Sequence, residues 1–417
     1  MPCLKSLRIK RILFFVLSSV LFFQCNTPSK SIVKKKLSLL REIKTIRVLL
    51  DGNLPNKELQ FNSDILLKYN EKEIALIRKG ETFHISRSKS ALEVRTKRNK
   101  FSLEYVDICP SKDNDLLEYK TKTYRGIFRI KQSGQYFILI NLLNVEDYLK
   151  AVIFAEMGPA NRPEDFEALK AYSVCLRNYT YMKIKESKGE FDVYPDSRDQ
   201  VYKGVLGERS FTTKAIEETN SLILEYNGQL AKTFYYSSCG GYTENSDNVF
   251  SEKGIAYLSG IKDGDDPYCK ISPGFSWVES YSSTELLSLL KKAKYLESTD
   301  SKIKDIEIKS RFNSDRVNEL KITIESNSDK VRDLFLVGNS IRSVILSKTT
   351  KGILRSTMFD IEKEYKNGYL HSLKIVGKGN GHGVGFCQWG AIAQSRSGKR
   401  FDELLYFYFP GTKLSEI

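Results

Sequence analysis

Short runs of alternating apolar and polar residues fill much of the N-terminal part of the chain. Examples between residues 46 and 141 are IRVLL, EIALIRKG and YFILINLL. Gly, Asn and Asp, which favour tight turns, separate these runs. Alternation with a period of two turns one side of a strand towards a core, so the pattern predicts strands joined by hairpins.

Two helical patterns follow. The first, NVEDYLKAVIFAEMG, carries Leu149, Val152 and Ile153 on one face and stops before Pro159. The second begins after Pro163 and has acidic residues in its first turn, where they complement the helix dipole. Towards the C-terminus, strands and helices mix without a regular strand–helix–strand repeat. The sequence therefore predicts a mixed, strand-rich α+β fold with several short helices.

The N-terminus has the pattern of an export signal. A basic cluster precedes the apolar run from Ile12 to Phe23, which would make a helix of about 18 Å. That length is short for a membrane span and typical of a signal peptide, predicted at residues 1–24. Cys25 resembles a lipidation site for a membrane anchor, although bulky residues precede it; simple cleavage and an uncleaved anchor are alternatives. Residues 25–44 are Lys-rich and are predicted to be a tether or a solvated linker.

Charge and cysteine content narrow the class of protein. The net charge is +15, but the basic residues are spread along the chain, so no nucleic-acid partner is predicted. An exported basic protein would instead meet anionic lipid or wall polymer, and a generally basic proteome explains the charge equally well. Five of the seven cysteines follow residue 100. In an oxidising compartment this odd number predicts one or two disulfides and at least one free thiol.

Glu156 is the residue that points most directly to chemistry. HExxH, CxxC and GxSxG motifs are all missing from the sequence. Glu156 follows four apolar residues at the C-terminal end of the first predicted helix. Apolar surroundings and the negative end of the helix dipole both disfavour an ionised carboxylate, so a raised pKa is expected. A general acid requires such a group, although position alone also fits a solvated helix end.

The segment LNVEDYLKAVIFAEM, continued by EDFEALKAYSVCLRNYTYM, resembles the hallmark of the SpoIID/LytB family of sporulation cell-wall enzymes and amidase enhancers. Further matching segments follow in the family's order, from DSRDQVYKGV to GKGNGHGVGFCQWGAIAQSRSG. The resemblance implies one catalytic region over residues 45–417 around a substrate cleft. Its parts are a β-rich part (45–140), a helix pair with the catalytic Glu and a Gly-Gly loop at Gly240 and Gly241 (141–270), an α+β insertion (271–370) and a closing motif (371–417).

The resemblance implies that Glu156 is the acid/base of a peptidoglycan lytic transglycosylase that needs no cofactor. Such an enzyme cleaves the MurNAc–GlcNAc β-1,4 bond and leaves a 1,6-anhydro product, and the resemblance implies strands without stem peptides as its substrate. One carboxylate suffices, whereas glycoside hydrolases use two. The alternative is a non-catalytic amidase enhancer or peptidoglycan-binding lipoprotein, with an N-acetylmuramoyl-L-alanine amidase as partner. Either would be exported and anchored to the membrane in the periplasm or cell envelope.

The family motifs also imply a set of substrate-binding residues: Arg177, Tyr179, Gln200, Tyr202, Ser237, Ser238, His382 and Gln388. A structural salt bridge is an alternative for Arg177, as is a loop-pinning role for His382. Tyr236 stands where many members have a histidine that, with cysteine, binds zinc in some of them. Its presence weakens a zinc site at Cys239 and Cys269, which are expected to form a disulfide instead.

Overall fold

The computed structural model describes residues 40, 42–88, 91–250 and 254–417. The predicted signal peptide and Cys25 lie outside these residues. The strand-rich α+β fold class is confirmed. None of the helices in the described part of the chain combines the length and apolar character needed to cross a bilayer.

The described residues form helices at α1 (Val145–Met157), α2 (Phe166–Glu186), α3 (Ser210–Glu218), α4 (Ser283–Lys292), α5 (Ser340–Val344), α6 (Gln388–Arg396) and α7 (Phe401–Tyr408). The strands of the N-terminal part are β1 (Thr45–Leu54), β2 (Lys57–Gln60), β3 (Ile65–Tyr69), β4 (Lys72–Ile77), β5 (Thr82–Arg87), β6 (Leu92–Arg95), β7 (Lys100–Leu103), β8 (Tyr105–Pro110), β9 (Leu117–Tyr119), β10 (Lys122–Tyr124), β11 (Ile127–Ser133) and β12 (Tyr136–Asn144). The later strands are β13 (Leu222–Tyr226), β14 (Gln229–Leu230), β15 (Tyr235–Tyr236), β16 (Ser276–Ser282), β17 (Ser301–Arg311), β18 (Val317–Ser326), β19 (Val331–Val337), β20 (Phe359–Lys366), β21 (Tyr369–Lys378), β22 (Phe386–Cys387) and β23 (Lys413–Glu416).

Two antiparallel sheets make up most of the N-terminal part. One has the order β1-β12-β11-β8-β3-β4 and the other the order β2-β5-β6-β7. In β5, Phe83 and Ile85 are buried and His84 between them is exposed, as the alternating pattern predicts. The ring centroids of Phe83 and Phe61 are 6.4 Å apart, and those of Phe61 and Phe128 of the larger sheet are 6.5 Å apart. These aromatic contacts join the two sheets into one core.

Helix α1 follows directly from β12. Asn144 caps it, accepting a hydrogen bond from the Glu146 N–H at 2.8 Å. The helix ends at Met157, as the sequence predicts. Much of this helix is buried, which fixes where its C-terminal end lies relative to the sheets.

Helix α2 begins later than the sequence predicts. Residues Pro163–Asp165 form a 3-10 turn, and the α-helix starts at Phe166. The Asp165 carboxylate accepts from the N–H of Arg162 at 3.1 Å and pairs with Arg396 of α6 at 2.7 Å. This long-range ion pair holds the turn in place. Most of α2 is buried, so it is the central helix of the main core.

The closing motif returns to the centre of the molecule. Strand β22 pairs in parallel with β15, with Tyr235 opposite Phe386 and Tyr236 opposite Cys387. Gly385 precedes this pairing with φ +79°, and a Cβ there would lie 2.5 Å from the Phe234 carbonyl oxygen. Glycine is therefore required at this position.

A second cluster of buried apolar side chains lies between Trp277 and Ile375. It is formed by α4, α5 and the sheets β16-β21-β20 and β17-β18-β19. The Trp277 indole N–H donates to the Gly379 carbonyl at 2.9 Å, and its ring packs where Gly377 has no side chain. The second core is thus attached next to the closing motif.

Candidate active site

A cleft with a volume of about 480 Å³ opens beside the C-terminal end of α1. This volume is typical of a pocket for a small ligand. Its walls come from α1, α2, the segment 197–201, the strand β15 region and the closing motif. The lining residues are Glu156, Tyr179, Ser197, Arg198, Asp199, Val201, Phe234, Tyr235, Phe250 and His382.

Glu156 is half-buried in the cleft wall. Its Oε1 atom accepts a hydrogen bond from the Val201 N–H at 2.7 Å. None of the hydrogen bonds among the described residues reaches its Oε2 atom. Burial raises the pKa of Glu156, and the Val201 hydrogen bond opposes the shift in part. The expected direction of the pKa shift is thereby confirmed, with burial as its main cause.

Gln388 holds the end of α1 from the other side. Its Nε2 atom donates to the Glu156 carbonyl oxygen at 3.1 Å and to the Tyr172 hydroxyl at 3.1 Å. The carbonyls of the last helical turn have no partner within a helix, so Gln388 satisfies one of them. The predicted closing-motif residue therefore positions Glu156 through the main chain.

A second carboxylate in the cleft, Asp199, is fully engaged. Its Oδ1 atom lies 2.6 Å from Lys183 Nζ and accepts from the Tyr179 hydroxyl at 3.2 Å. Its Oδ2 atom accepts from the Tyr194 N–H at 2.8 Å. Asp199 is therefore a fixed anion that orients Tyr179. Glu156, by contrast, keeps one oxygen atom without a protein donor.

Aromatic rings form much of the remaining wall. Tyr179 and Tyr235 meet edge to face with centroids 5.9 Å apart. Phe234 and Phe250 stack at 4.4 Å, and Phe250 lies 5.4 Å from the His382 ring. These rings give Glu156 apolar surroundings.

His382 lines the cleft and also pins the closing motif. Its Nε2 atom lies 3.0 Å from the Tyr235 carbonyl oxygen, to which it donates as the Nε2–H tautomer, and its Nδ1 atom then accepts from the Val384 N–H at 3.1 Å. Burial lowers the pKa of His382 to about 3, with the positive charges of Arg342 and Arg316 acting in the same direction. The ring is therefore neutral near neutral pH, and both nitrogens are occupied.

Arg177 is fully buried and does not reach the cleft. Its Nε and Nη2 atoms donate to the two Glu146 carboxylate oxygens at 2.7 and 2.8 Å, and Nη1 donates to the Leu222 carbonyl at 3.0 Å. The arrangement corresponds to the structural salt bridge that the sequence left open. It ties α2 to the beginning of α1.

Gln200 and Tyr202 lie behind the cleft wall, fully and almost fully buried. The Gln200 Oε1 atom accepts from the Tyr148 hydroxyl at 3.0 Å. The Tyr202 hydroxyl donates to Asn141 Oδ1 at 2.7 Å. These contacts anchor the segment whose neighbour, Val201, donates to Glu156. The two residues support the site without lining it.

Ser237 and Ser238 connect the Gly-Gly loop to the closing motif through their main chains. The Trp389 N–H donates to the Ser237 carbonyl at 3.0 Å. The N–H of Ser238 donates to the Asn380 carbonyl at 3.0 Å, and the reverse bond is 2.7 Å long. Neither serine lines the cleft.

Cys239 and Cys269 are buried free thiols with their sulfurs 3.3 Å apart. A disulfide bond is about 2.05 Å long, so the expected bond is not formed in this structure and the pairing stays a prediction. A third thiol, Cys387, accepts from the Cys239 N–H at 3.2 Å.

Several cleft residues were not singled out from the sequence. Arg198 and Asp199 belong to the matched segment DSRDQVYKGV, whereas Phe234 and Tyr235 directly precede the Gly-Gly loop. Their position next to family motifs is the signal that could have identified them. Phe250 is the last residue of the family-like segment EETNSLILEYNGQLAKTFYYSSCGGYTENSDNVF, so the same signal covers it, although only the folded chain brings it to His382.

Comparison with known proteins places the chain in a family. A sequence model described as "Stage II sporulation protein" matches residues 133–226, which include α1, α2 and Glu156. An uncharacterized protein of Brachyspira hyodysenteriae is 31% identical over 70% of this chain and 72% of its own length. Stage II sporulation protein D of Bacillus subtilis is 26% identical over 65% of this chain and 74% of its own. The chain belongs to the SpoIID/LytB family.

Two further matches each cover only part of a protein, one of them part of a relative and the other part of this chain. The Amidase enhancer of Bacillus subtilis is 33% identical over 64% of this chain, but the shared part is only 40% of that protein. A domain of unknown function matches residues 256–385, which contain the second core. The cleft thus combines a family segment around Glu156 with a closing motif that follows the second core.

Proposed function

We propose that the protein is a peptidoglycan lytic transglycosylase with Glu156 as its single acid/base. The observation that carries the proposal is the half-buried carboxyl group of Glu156, which has a raised pKa and an oxygen without a protein donor inside an aromatic cleft. Relatives named Stage II sporulation protein D and Amidase enhancer support action on the cell wall. The proposal includes export and a lipid anchor at Cys25, following the N-terminal pattern.

The proposed reaction uses one carboxyl group twice, first to donate a proton and then to accept a different one. The protonated Glu156 carboxyl donates to the glycosidic oxygen as the bond from MurNAc C1 to GlcNAc O4 breaks. The resulting carboxylate takes the proton of the MurNAc 6-hydroxyl as O6 bonds to C1 and closes the 1,6-anhydro ring. No water is consumed, and Glu156 ends protonated as it began. The Val201 N–H stabilises the carboxylate between the two transfers.

The cleft walls suit a sugar substrate. Aromatic rings can pack against the apolar faces of sugars and exclude the water that would compete with the 6-hydroxyl. Arg198, on the same wall, is exposed and pairs with Asp196. Removing a stem peptide leaves a free lactyl carboxylate on MurNAc, which Arg198 could bind. Such a contact would give the enzyme a preference for peptide-free strands.

The test is digestion of intact and amidase-treated sacculi by the purified protein. Glu156→Gln should release 1,6-anhydro products about 10²–10⁴-fold more slowly than the unmodified protein, because it removes the general acid. Glu164→Gln is the matched control, since Glu164 is exposed and outside the cleft. Anhydro products formed equally by the Glu156→Gln variant would rule the proposal out.

A second candidate function is amidase enhancement, which the name of one relative favours. The same digestion can include an N-acetylmuramoyl-L-alanine amidase, with release of stem peptides as the readout. Stimulation that survives Glu156→Gln, without anhydro products from any variant, would establish the enhancer in place of the enzyme.

A further inference from the structure

Three thiols and one carboxyl group meet below the Gly-Gly loop. Cys239, Asp263, Cys269 and Cys387 each place a potential ligand atom within 4.8 Å of the others, and all four residues are buried. They come from separate parts of the chain: the Gly-Gly loop, the segment before β16, and the closing motif. Folding alone brings them together.

The donor set matches a structural zinc site. Zinc prefers four ligands in a tetrahedron, and thiolate sulfur with carboxylate oxygen is an accepted combination. Zinc binds sulfur at about 2.3 Å, which puts two sulfurs of a tetrahedral site about 3.8 Å apart. The Cys239 and Cys269 sulfurs, at 3.3 Å, need only a small outward movement to reach that spacing. Four protein ligands leave no open position, so the site would be structural.

The surrounding donors support metal-bound ligands. The Cys239 N–H donates to Cys387 Sγ at 3.2 Å, and the Gly241 N–H donates to Cys239 Sγ at 3.4 Å. The Tyr408 hydroxyl donates to Asp263 Oδ1 at 3.1 Å. Such outer contacts orient metal ligands and stabilise their negative charge.

A buried cation next to the cluster supplies an independent argument. Arg316 is 2% exposed, and its Nη2 and Nη1 atoms donate to the Cys239 and Tyr242 carbonyls, both at 2.7 Å. Its Nε has no hydrogen-bond partner, and no carboxylate of the described residues forms an ion pair with it. A buried unpaired charge is costly. A divalent ion with three thiolates and one carboxylate is a net negative centre and would offset that charge.

We propose that Cys239, Cys269, Cys387 and Asp263 bind one zinc ion that holds the Gly-Gly loop, the segment before β16 and the closing motif together. A disulfide between Cys239 and Cys269 leaves Cys387, Asp263 and the Arg316 charge without a role. Cys387 directly precedes Gln388, which holds the end of α1. The ion would therefore stabilise the wall of the cleft through Gln388 without contacting the substrate.

The test measures zinc by elemental analysis in the full chain, reconstituted with zinc under reducing conditions and freed of excess metal. One zinc per chain is expected for the unmodified protein and for Cys109→Ser, a control thiol in β8 outside the cluster. Cys387→Ser should bind zinc at least about tenfold more weakly, the lower limit seen when even an outer contact is lost. Cobalt should give a thiolate charge-transfer absorption that Cys387→Ser lacks.

A competing disulfide would give a different result. No zinc in the unmodified chain after reconstitution, or zinc binding unchanged by Cys387→Ser, would overturn the proposal. Peptide mass mapping without reductant, showing Cys239 and Cys269 joined and zinc-free, would also overturn it. If Cys387→Ser fails to fold, the zinc content of the unmodified chain and of Asp263→Asn decides the question.

Discussion

At the scale of single residues, the two carboxylates of the cleft differ in what surrounds them. Asp199 is fixed by Lys183 and Tyr179, so its charge is matched and its oxygens are occupied. Glu156 receives only the Val201 N–H and sits among aromatic rings. Burial therefore raises the pKa of Glu156, and the Val201 hydrogen bond opposes the shift in part. This difference favours Glu156 over Asp199 as the proposed acid/base.

The raised pKa of Glu156 predicts a pH-dependent stability difference between the protein and Glu156→Gln. A folded-state pKa above the unfolded value means that the protonated carboxyl favours folding at low pH, and that this contribution is lost as pH rises through the folded pKa. Glutamine does not ionise. The Tm of Glu156→Gln minus that of the unmodified protein should therefore increase with pH above 4.5, the ordinary value for glutamate.

Thermal unfolding of both proteins across a pH series measures this difference. Glu164→Gln, with an exposed side chain, should give a nearly flat difference over the same series. A difference for Glu156→Gln that does not change with pH would show that the carboxyl is not destabilised by burial. The experiment needs no substrate, so it is independent of the proposed reaction.

The raised pKa of Glu156 could be predicted because an apolar helix end is visible in the sequence, whereas its choice as the catalytic candidate depended on the family motif. The hydrogen bonds of Arg177 and Gln200 could not be predicted in this way. Arg177 pairs with Glu146 and Gln200 accepts from Tyr148, and both partners are distant along the chain. Family motifs identify residues that matter at the site. They do not distinguish side chains that line the cleft from those that hold its wall.

At the scale of elements, the parallel pair of β15 and β22 decides how the closing motif reaches the cleft. This pair is two residues long on each strand and is followed by α6, whose first residue holds α1. Helix positions follow well from apolar spacing. The start of α2 does not, because the ion pair between Asp165 and Arg396 is invisible locally. Short strand pairings and ion pairs of this kind depend on the tertiary structure, so the local sequence pattern does not predict them.

Gly385→Ala should destabilise the protein strongly and slow product release from sacculi. A Cβ at this φ of +79° would lie 2.5 Å from the Phe234 carbonyl, within the wall of the cleft. Left-handed backbone and overpacking together cost about 3 kcal/mol. Gly134→Ala is the matched control, with φ +58° and nothing within 4 Å of its Cβ, and should cost only about 1 kcal/mol. Urea unfolding measures both, and equal losses would contradict the steric argument.

At the scale of the whole molecule, the chain has two separate hydrophobic cores. The main core contains the sheets of the N-terminal part and the helices around the cleft. The second core spans Trp277 to Ile375. The main connections named above are the Trp277 contact with Gly379 and the contacts of Arg316 with the Gly-Gly loop. Both lie close to the closing motif, and Ser314 between β17 and β18 also donates a hydrogen bond to Glu244. The second core can therefore influence the cleft through the closing motif and through the segment that follows the Gly-Gly loop.

The separation of the cores predicts that damage to one opens that core first. Leu320 in β18 is fully buried in the second core, and truncating a leucine in such a place costs about 2–5 kcal/mol. Leu320→Ala should therefore increase amide hydrogen exchange in residues 277–375 while α1 and α2 stay protected, because local unfolding follows packed units. Leu149→Ala, in α1 of the main core, should instead increase amide hydrogen exchange in α1 and α2 while residues 277–375 stay protected, and it should abolish activity. Mass spectrometry of exchanged peptides resolves the two regions. Uniform loss of protection in both variants would mean that the cores unfold as a single unit because the contacts between them couple them fully.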